Sequence, residues 1–441
     1  MKRVLVIFLS VVCFWPIGSA NAGPKEEYEE AYNLYIAAGA SIAAYNGRVG
    51  ELANLYLEQS GWTIDHYVQL PGHTGARFLL AKMDLGLRKN AYVLAIVGTE
   101  SIGDIKMDLK VDKIYFAGSS IEECAANAAK KNVSGKEPKV HRGFNEFTQA
   151  GLAAKARDAS HYSSFLPELL KGNRDCKLYI TGHSLGGAAA TLVAARLISM
   201  GVNPGQIEVI TFGAPAVGNA AFAAQFGQKL HLTRVTISGD PVTRVLQPLG
   251  GYKQFGREIK WNRADAVDDP HKMIGYVDKA IKNYYDKRQL AANARIELPK
   301  PAAKRMINSE RVYIVPVANK LSSALSKEFW YMREVLWDEY RKRFPGCVIE
   351  TEAMVDNWRE KAAISGCRWV IVPEISSIHI KQEESTYHIT LNQTVYDVTT
   401  GAIVDTAAFS TGTNNLTPLE AFIHDLKVVT TNRGPWSVKA K

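Results

Sequence analysis

Leu178-Tyr179-Ile180-Thr181-Gly182-His183-Ser184-Leu185-Gly186-Gly187-Ala188 decides how this chain is read. The apolar triplet at its start predicts a strand over 177–181, and the Gly- and Ala-rich run after it predicts a helix over 184–200. Between them stands a Gly-x-Ser-x-Gly pentapeptide that occurs once in the chain. Such a pentapeptide alone is a weak signal, because Gly and Ser are common. A strand leading in and a helix leading out turn it into a sharp corner. A serine at that corner takes a strained backbone conformation and presents its Oγ at the C-terminal edge of a sheet. Gly182 and Gly186 lack Cβ atoms, which lets strand and helix approach closely. No G-x-G-x-x-G or G-K-[ST] accompanies the turn, so a nucleotide-binding loop is not supported.

Working outward, strands over 208–212 and 232–238 alternate with helices over 184–200 and 220–230. That alternation signals a parallel sheet covered on both faces. Upstream, residues 25–60 have helical spacing with a break near Asn46-Gly47, and strands follow over 62–70, 76–83 and 92–97. The last of these is apolar throughout, as an interior strand is. A long irregular stretch runs over 104–140, and 143–170 reads as mostly helical. Residues 291–304 contain Pro299 and Pro301 without periodicity and read as a linker. Beyond it the pattern restarts: strand 312–317, helix 320–343, helix 352–365, strand 369–373. Strands over 376–409 then turn at Gln382-Glu383-Glu384 and Thr400-Gly401, and a helix over 418–429 closes the chain. The expected fold class is α/β, with a mostly parallel sheet in residues 23–290 and a smaller α/β domain of unknown role in 305–441.

The chain has 441 residues, 46% of them apolar and 22% charged. That is enough apolar surface to offset the entropy of ordering, so disorder throughout is excluded and two or three domains are expected. Lys2 and Arg3, an apolar core over 4–17 and Ala20-Asn21-Ala22 match a secretory signal peptide over 1–22, cleaved after Ala22. Export to the periplasm or outside the cell follows. The net charge of +9 is diffuse, without a basic stripe, so nucleic acid is not indicated. Contact with a membrane or lipid interface stays open. Four cysteines follow the leader: Cys124, Cys176, Cys347 and Cys367. An even count in an exported chain permits two disulfides, with Cys347–Cys367 the expected pair because each begins a predicted strand of the small domain. The alternative is four buried free thiols. No CxxC pair is present, so neither a metal nor a redox cofactor is indicated.

A serine hydroxyl becomes a useful nucleophile only beside a base, which an acid must orient. Asp240 follows the predicted strand 232–238 at its C-terminal end, the functional edge of an open parallel sheet, with Pro241 turning the chain. His271 comes 31 residues later in a polar loop. The other histidines after Asp240 are His379, His388 and His424, all in the second domain, so His271 is the expected base. Asp265, Asp268 and Asp269 are rivals for the acid, but no strand precedes them. An oxyanion needs two preorganised donors. The backbone N–H of Leu185 is one. Thr99, ending the strand over 92–97, is the other or an ordinary turn residue.

These pieces occur together with Val97-Gly98-Thr99, Asp104 and Asp108, Val140-His141-Arg142-Gly143-Phe144, and Thr211-Phe212-Gly213-Ala214-Pro215 with Gly218-Asn219. In that order, over residues 25–285, the chain resembles the class 3 lipases, which include filamentous fungal triacylglycerol lipases of the α/β-hydrolase fold. The resemblance implies Ser184 as nucleophile, Asp240 as acid, His271 as base, Thr99 and Leu185 as oxyanion donors, and no metal or other cofactor. It assigns His183 and His141 structural roles. Val97 and Ile105 depart from the Arg and Trp usual in the family. The related enzymes carry a lid after the oxyanion residue. Here residues 100–139 offer either a lid face made of Ile102, Ile105, Met107 and Leu109, or a Lys-rich surface insertion stapled by Cys124. The expected function is an exported serine ester hydrolase, a lipase of acylglycerols, acting through an acyl-enzyme. Alternatives are a phospholipase or non-lipid carboxylesterase, or a binding protein on a hydrolase scaffold. The second domain resembles small α/β modules of bacterial envelope proteins, with a hairpin turn at Tyr396 to Gly401 and no identified partner.

Overall fold

Strands apolar on both faces form the centre of the larger unit. The computed structural model describes residues 23–45, 57, 61–69, 77–84, 90–97, 112–157, 160–248, 250–263, 267, 269–298, 311–351, 357–380, 386–431 and 434–436. The leader, the Asn46-Gly47 break, Thr99, the lid residues Ile102 to Leu109, and Asp265 and Asp268 lie outside them. The chain divides into two compact units between Glu297 and Leu298.

In the larger unit the sheet strands are β1 (Thr63–Gln69), β2 (Arg77–Asp84), β3 (Asn90–Val97), β4 (Lys177–His183), β5 (Ile207–Phe212), β6 (His231–Ile237) and β7 (Arg257–Trp261). They lie side by side in sequence order. The pairs β1–β2 and β2–β3 are antiparallel, and every later neighbour is parallel. The helices are α1 (Pro24–Ala43), α2 (Ile121–Ala128), α3 (Arg142–Ala153), α4 (Tyr162–Gly172), α5 (Leu185–Ser199), α6 (Ala220–Phe226) and α7 (Met273–Asn293). Alternation along β4 sets the layers. Leu178 and Ile180 join the core under α3, α4 and α5, each worth about 1.5–3 kcal/mol of burial. Thr181 points the other way, bonded to Ser41 of α1 at 2.9 Å, and α7 packs on α1. A mostly parallel sheet with helices on both faces and a strand-turn-helix serine is the α/β-hydrolase fold.

The structure departs from three of these expectations. The 104–140 region is not irregular where it is described: Lys113–Tyr115 pairs with Lys139–His141, and α2 lies between them. Cys124 staples nothing, being a buried free thiol. The anchor is the buried Arg196 of α5. It donates to Ala117 O and Asn145 Oδ1, both at 3.0 Å, with its guanidinium 3.5 Å from the centre of the Phe116 ring. Helix α7 also runs to Asn293, through the first residues read as linker.

In the smaller unit, the strands are β8 (Val312–Ile314), β9 (Ala318–Lys320), β10 (Val348–Ile349), β11 (Trp369–Ile380), β12 (Thr386–Asp397) and β13 (Ile403–Gly412). Their order is β10-β8-β11-β12-β13, with β9 also on β11. Helices α8 (Glu328–Arg343), α9 (Trp358–Ile364) and α10 (Pro418–Thr430) complete it. Ile389, Leu391 and Val395 of β12 are buried on the face where α10 packs and where Tyr340 of α8 donates to Gln393 at 2.9 Å. Ala362 of α9 packs with Tyr313 and Val370 in a second cluster. The hairpin turn read at Tyr396 to Gly401 is held by Asp397 Oδ1, which accepts from Thr399 and Thr400 N–H at 2.8 and 2.9 Å.

The expected Cys347–Cys367 disulfide is absent: all four thiols are free, the alternative reading. Cys347 and Cys367 do begin strands, β10 and β11, but both strands are parallel neighbours of β8, which lies between them. Two inter-strand spacings separate β10 from β11 by about 9–10 Å, beyond the Cα reach of a disulfide.

Candidate active site

Ser184 sits between β4 and α5 with φ 56° and ψ −123°. This strained conformation costs about 1–3 kcal/mol. Its N–H donates to Phe212 O at 2.9 Å, tying the corner to β5. A Cβ on Gly182 would lie 2.4 Å from Gly186 C and 2.6 Å from Ile96 O. Gly182 is thus fixed by the approach of β3, β4 and α5. Leu185 opens α5, so its N–H is among those without an intrahelical acceptor.

The structure brings Ser184, His271 and Asp240 together, all buried. His271 Nε2 is 2.9 Å from Ser184 Oγ, and His271 Nδ1 is 3.0 Å from each carboxylate oxygen of Asp240. The carboxylate holds the proton on Nδ1, which leaves Nε2 to accept from the serine hydroxyl. Asp240 follows β6 at its C-terminal end, and its Oδ1 also accepts from Val242 N–H at 2.9 Å. Asp269, a rival for the acid, instead accepts from the backbone N–H of His271 at 2.9 Å and positions the loop. His379, His388 and His424 lie in the smaller unit, on β11, β12 and α10.

Two features were not legible in the sequence, Tyr276 and Gly213, whereas His183 takes the structural role the resemblance implied. Tyr276, in the first turn of α7, donates to Asp240 Oδ2 at 2.6 Å and accepts from Ile237 N–H at 3.1 Å. Burial, then the Asp240 charge, raise its pKa and keep the phenol protonated. A tyrosine one helical turn past the candidate base was the only signal available. Gly213, at φ +58°, lies under the constellation: a Cβ there would come 2.8 Å from Asp240 Oδ2 and 3.3 Å from His271 Nδ1. His183 donates from Nε2 to the carbonyl of His271 at 2.7 Å, and its Nδ1 accepts from Tyr45 at 2.8 Å. Its pKa is pushed well below 6.5, by burial first and by His271 second, so the ring is neutral. His141 caps α3, its Nδ1 accepting from Phe144 N–H at 3.4 Å. Among the described residues, no group of three or more His, Cys, Asp or Glu side chains is placed to hold a metal ion.

Residues 93–249 match the family model described as lipase (class 3). A Caenorhabditis elegans protein, lipase ZK262.3, is 46% identical over 71 residues, 16% of this chain and 20% of its own. The secreted mono- and diacylglycerol lipase 1 of Fusarium solani is 35% identical over 120 residues, 27% of this chain and 33% of its own. Phospholipase A1-II 3 of Oryza sativa is 31% identical over 138 residues, 28% of this chain and 33% of its own. The chain thus spans a third or less of the length of these curated relatives. The lipase of Rhizopus microsporus var. chinensis is a similar solved structure, at 22% identity and a TM-score of 0.41, over 56% of this chain and 79% of its own.

Proposed function

We propose, for a chain whose residues 93–249 match the class 3 lipase family model, an exported serine ester hydrolase that cleaves carboxylic esters of acylglycerols. The observation that carries this reading is the continuous line of contacts from Ser184 Oγ through His271 to Asp240. In this mechanism His271 takes the proton as Ser184 Oγ attacks the ester carbonyl. The backbone N–H of Leu185 and a second donor from Thr99 hold the developing oxyanion. The alcohol leaves with the proton from His271, and water then cleaves the acyl-enzyme by the reverse relay. No metal or cofactor enters any step. Asp240 keeps the imidazole in the required tautomer, and Tyr276 and Gly213 keep Asp240 in place.

The relatives named above include an acylglycerol lipase and a phospholipase A1, so phosphatidylcholine belongs in the substrate panel. The test is hydrolysis of p-nitrophenyl esters from short to long chain, diacylglycerol and phosphatidylcholine, with wild type beside Ser184→Ala. Activity abolished by the substitution supports the serine hydrolase, and the preferred substrate assigns the class. Inactivity of the wild type on every ester, with detergent present, would reject the proposal in favour of a binding role. Export is tested separately, by N-terminal sequencing of secreted or periplasmic protein, where Gly23 is the expected first residue.

A further inference from the structure

His271 stands in a turn before α7, outside any strand or helix, and its backbone is held from both sides. Its N–H donates to Asp269 Oδ1 at 2.9 Å, and its carbonyl accepts from His183 Nε2 at 2.7 Å. The two histidine rings lie 4.6 Å apart, centre to centre. A carbonyl oxygen can only accept, so His183 carries its proton on Nε2. The neutral ring then offers a lone pair on Nδ1, and Tyr45 OH donates to it at 2.8 Å. The reverse tautomer would set two lone pairs against each other at the His271 carbonyl.

The packing of α1 on β4 explains how a residue 138 positions away in sequence reaches this ring. Ser41 of α1 bonds Thr181 of β4 at 2.9 Å, and Thr181 donates to Ala37 O at 3.4 Å. Tyr45 lies just past the last residue of α1, with its N–H donating to Ile42 O at 3.0 Å. Four residues along a helix advance about 6 Å, and two along a strand about 6.6 Å. The matched rises set Ser41 beside Thr181 and Tyr45 beside His183, so α1 follows β4 to its C-terminal end.

The proposed mechanism needs His271 Nε2 at its 2.9 Å from Ser184 Oγ while the ring gains and loses a proton. Asp240 holds the far side of the ring, but the ring moves with the backbone that carries it. A displacement of about 1 Å at a reacting group costs on the order of 10²-fold in rate. Burial keeps His183 neutral, so it sets no positive charge against the imidazolium that forms on His271. We propose that Tyr45 is a positioning residue for the base, acting through His183: its hydroxyl fixes the ring that holds the His271 carbonyl. This role rests on the reading of Ser184, His271 and Asp240 as the reacting set, and adds the end of α1 to it.

The full-length protein is followed by two readouts: kcat and KM on the ester it cleaves best, and the rate at which a fluorophosphonate labels Ser184. Tyr45→Phe deletes one hydroxyl and should lower kcat and the labelling rate about 3–10-fold, with KM within about twofold of wild type. His183→Leu should lower both by about 30–100-fold. His183→Gln, which keeps a donor for the His271 carbonyl, should lose less. Adding Tyr45→Phe to His183→Leu should change nothing further, because the hydroxyl acts through the ring. Melting curves check that the variants are folded, and Tyr45→Phe decides the matter if neither His183 variant folds. Wild-type kcat and labelling in folded Tyr45→Phe overturn the proposal and leave Tyr45 a structural role only. So does a loss confined to KM, or an equal loss from Tyr45→Phe with and without the His183 ring. A wild type inert to the fluorophosphonate and to every ester rejects the Ser184 reading and this role with it. A reactive wild type with unaffected variants rejects this role alone.

Discussion

The two units handle buried polar groups differently. In the larger unit one set of them converges. Tyr45, His183, His271, Ser184, Asp240 and Tyr276 form one connected set, in which hydrogen bonds run from a phenol to a hydroxyl nucleophile and back to the strand β6 backbone. In the smaller unit they are dispersed. Gln393, Asp397 and Asp425 each serve their own neighbours, and Asp425 Oδ2 is buried with no partner among the described residues. Exposed large apolar side chains show the reverse distribution. Of the seven among the described residues, Leu290 alone lies in the larger unit, while Ile364, Ile378, Ile403, Val404, Phe409 and Val428 lie in the smaller one. A connected buried polar set suits preorganised chemistry, while the smaller unit leaves more large apolar side chains in water.

The contrast is broken most severely at the nucleophile. Ser184→Ala should lower kcat by at least about 10⁴-fold while leaving the melting temperature near wild type, because the proposed mechanism runs through the hydroxyl and its loss opens little space. A folded variant that retains activity would detach the chemistry from this site.

The next largest effect is expected in the smaller unit and concerns stability. Burial raises the Asp425 pKa to about 8, against stabilising bonds from Thr411, so the folded carboxyl stays protonated where the unfolded one ionises. Its contribution is complete below about pH 4, the unfolded pKa, and is lost progressively as pH rises towards 8. Asp425→Asn should therefore raise stability at pH 8 relative to wild type by a few kcal/mol, about as much as a shift of this size allows, and bring little gain at pH 4. Denaturant melts at the two pH values decide it, and equal shifts at both would mean that Asp425 is ionised in the fold.

Gly213→Ala sharpens the comparison from the other side. The added methyl enters the space of Asp240 Oδ2 at a positive φ, so a stability loss of about 1–3 kcal/mol is expected. Activity should drop more than stability explains, roughly 10–100-fold, because the acid is displaced. The same substitution at Gly251, also at positive φ but with open space around its Cβ position, should cost stability with little activity. The smallest effect is expected for Tyr276→Phe. It removes one of the bonds to Asp240 and leaves Ile237 N–H unpaired, at about 1–2 kcal/mol and a rate loss near tenfold. Stopped kinetics with an unchanged KM would place the loss on kcat.

Much of the larger unit was legible because its signals are local. The strand, the corner and the helix around Ser184 are adjacent in the chain, and Gly182 there is dictated by backbone approach. Asp240 could be read from its position at a strand end, and His271 by excluding histidines of the second domain. Strand β7 and helix α7 were not read, because β7 is exposed along much of its length and carries charged residues that mask its pattern. The hairpin turn at Asp397 was legible through its turn residues. The Cys347–Cys367 pairing was not, since it depends on the order of strands in the sheet.

By itself, the sequence determined the kind of fold and the order of its chemical groups. Hydrophobic periodicity and turn chemistry act over a few residues, and each residue carries them wherever the chain goes. Tertiary structure decided which groups meet. It put Asp240 rather than Asp269 behind the His271 ring. It brought Tyr276 and Gly213 to the carboxylate, and placed β8 between two cysteines that begin strands. Those outcomes depend on distances across the sheet, set by the packing of the whole unit, and no short stretch of sequence contains them.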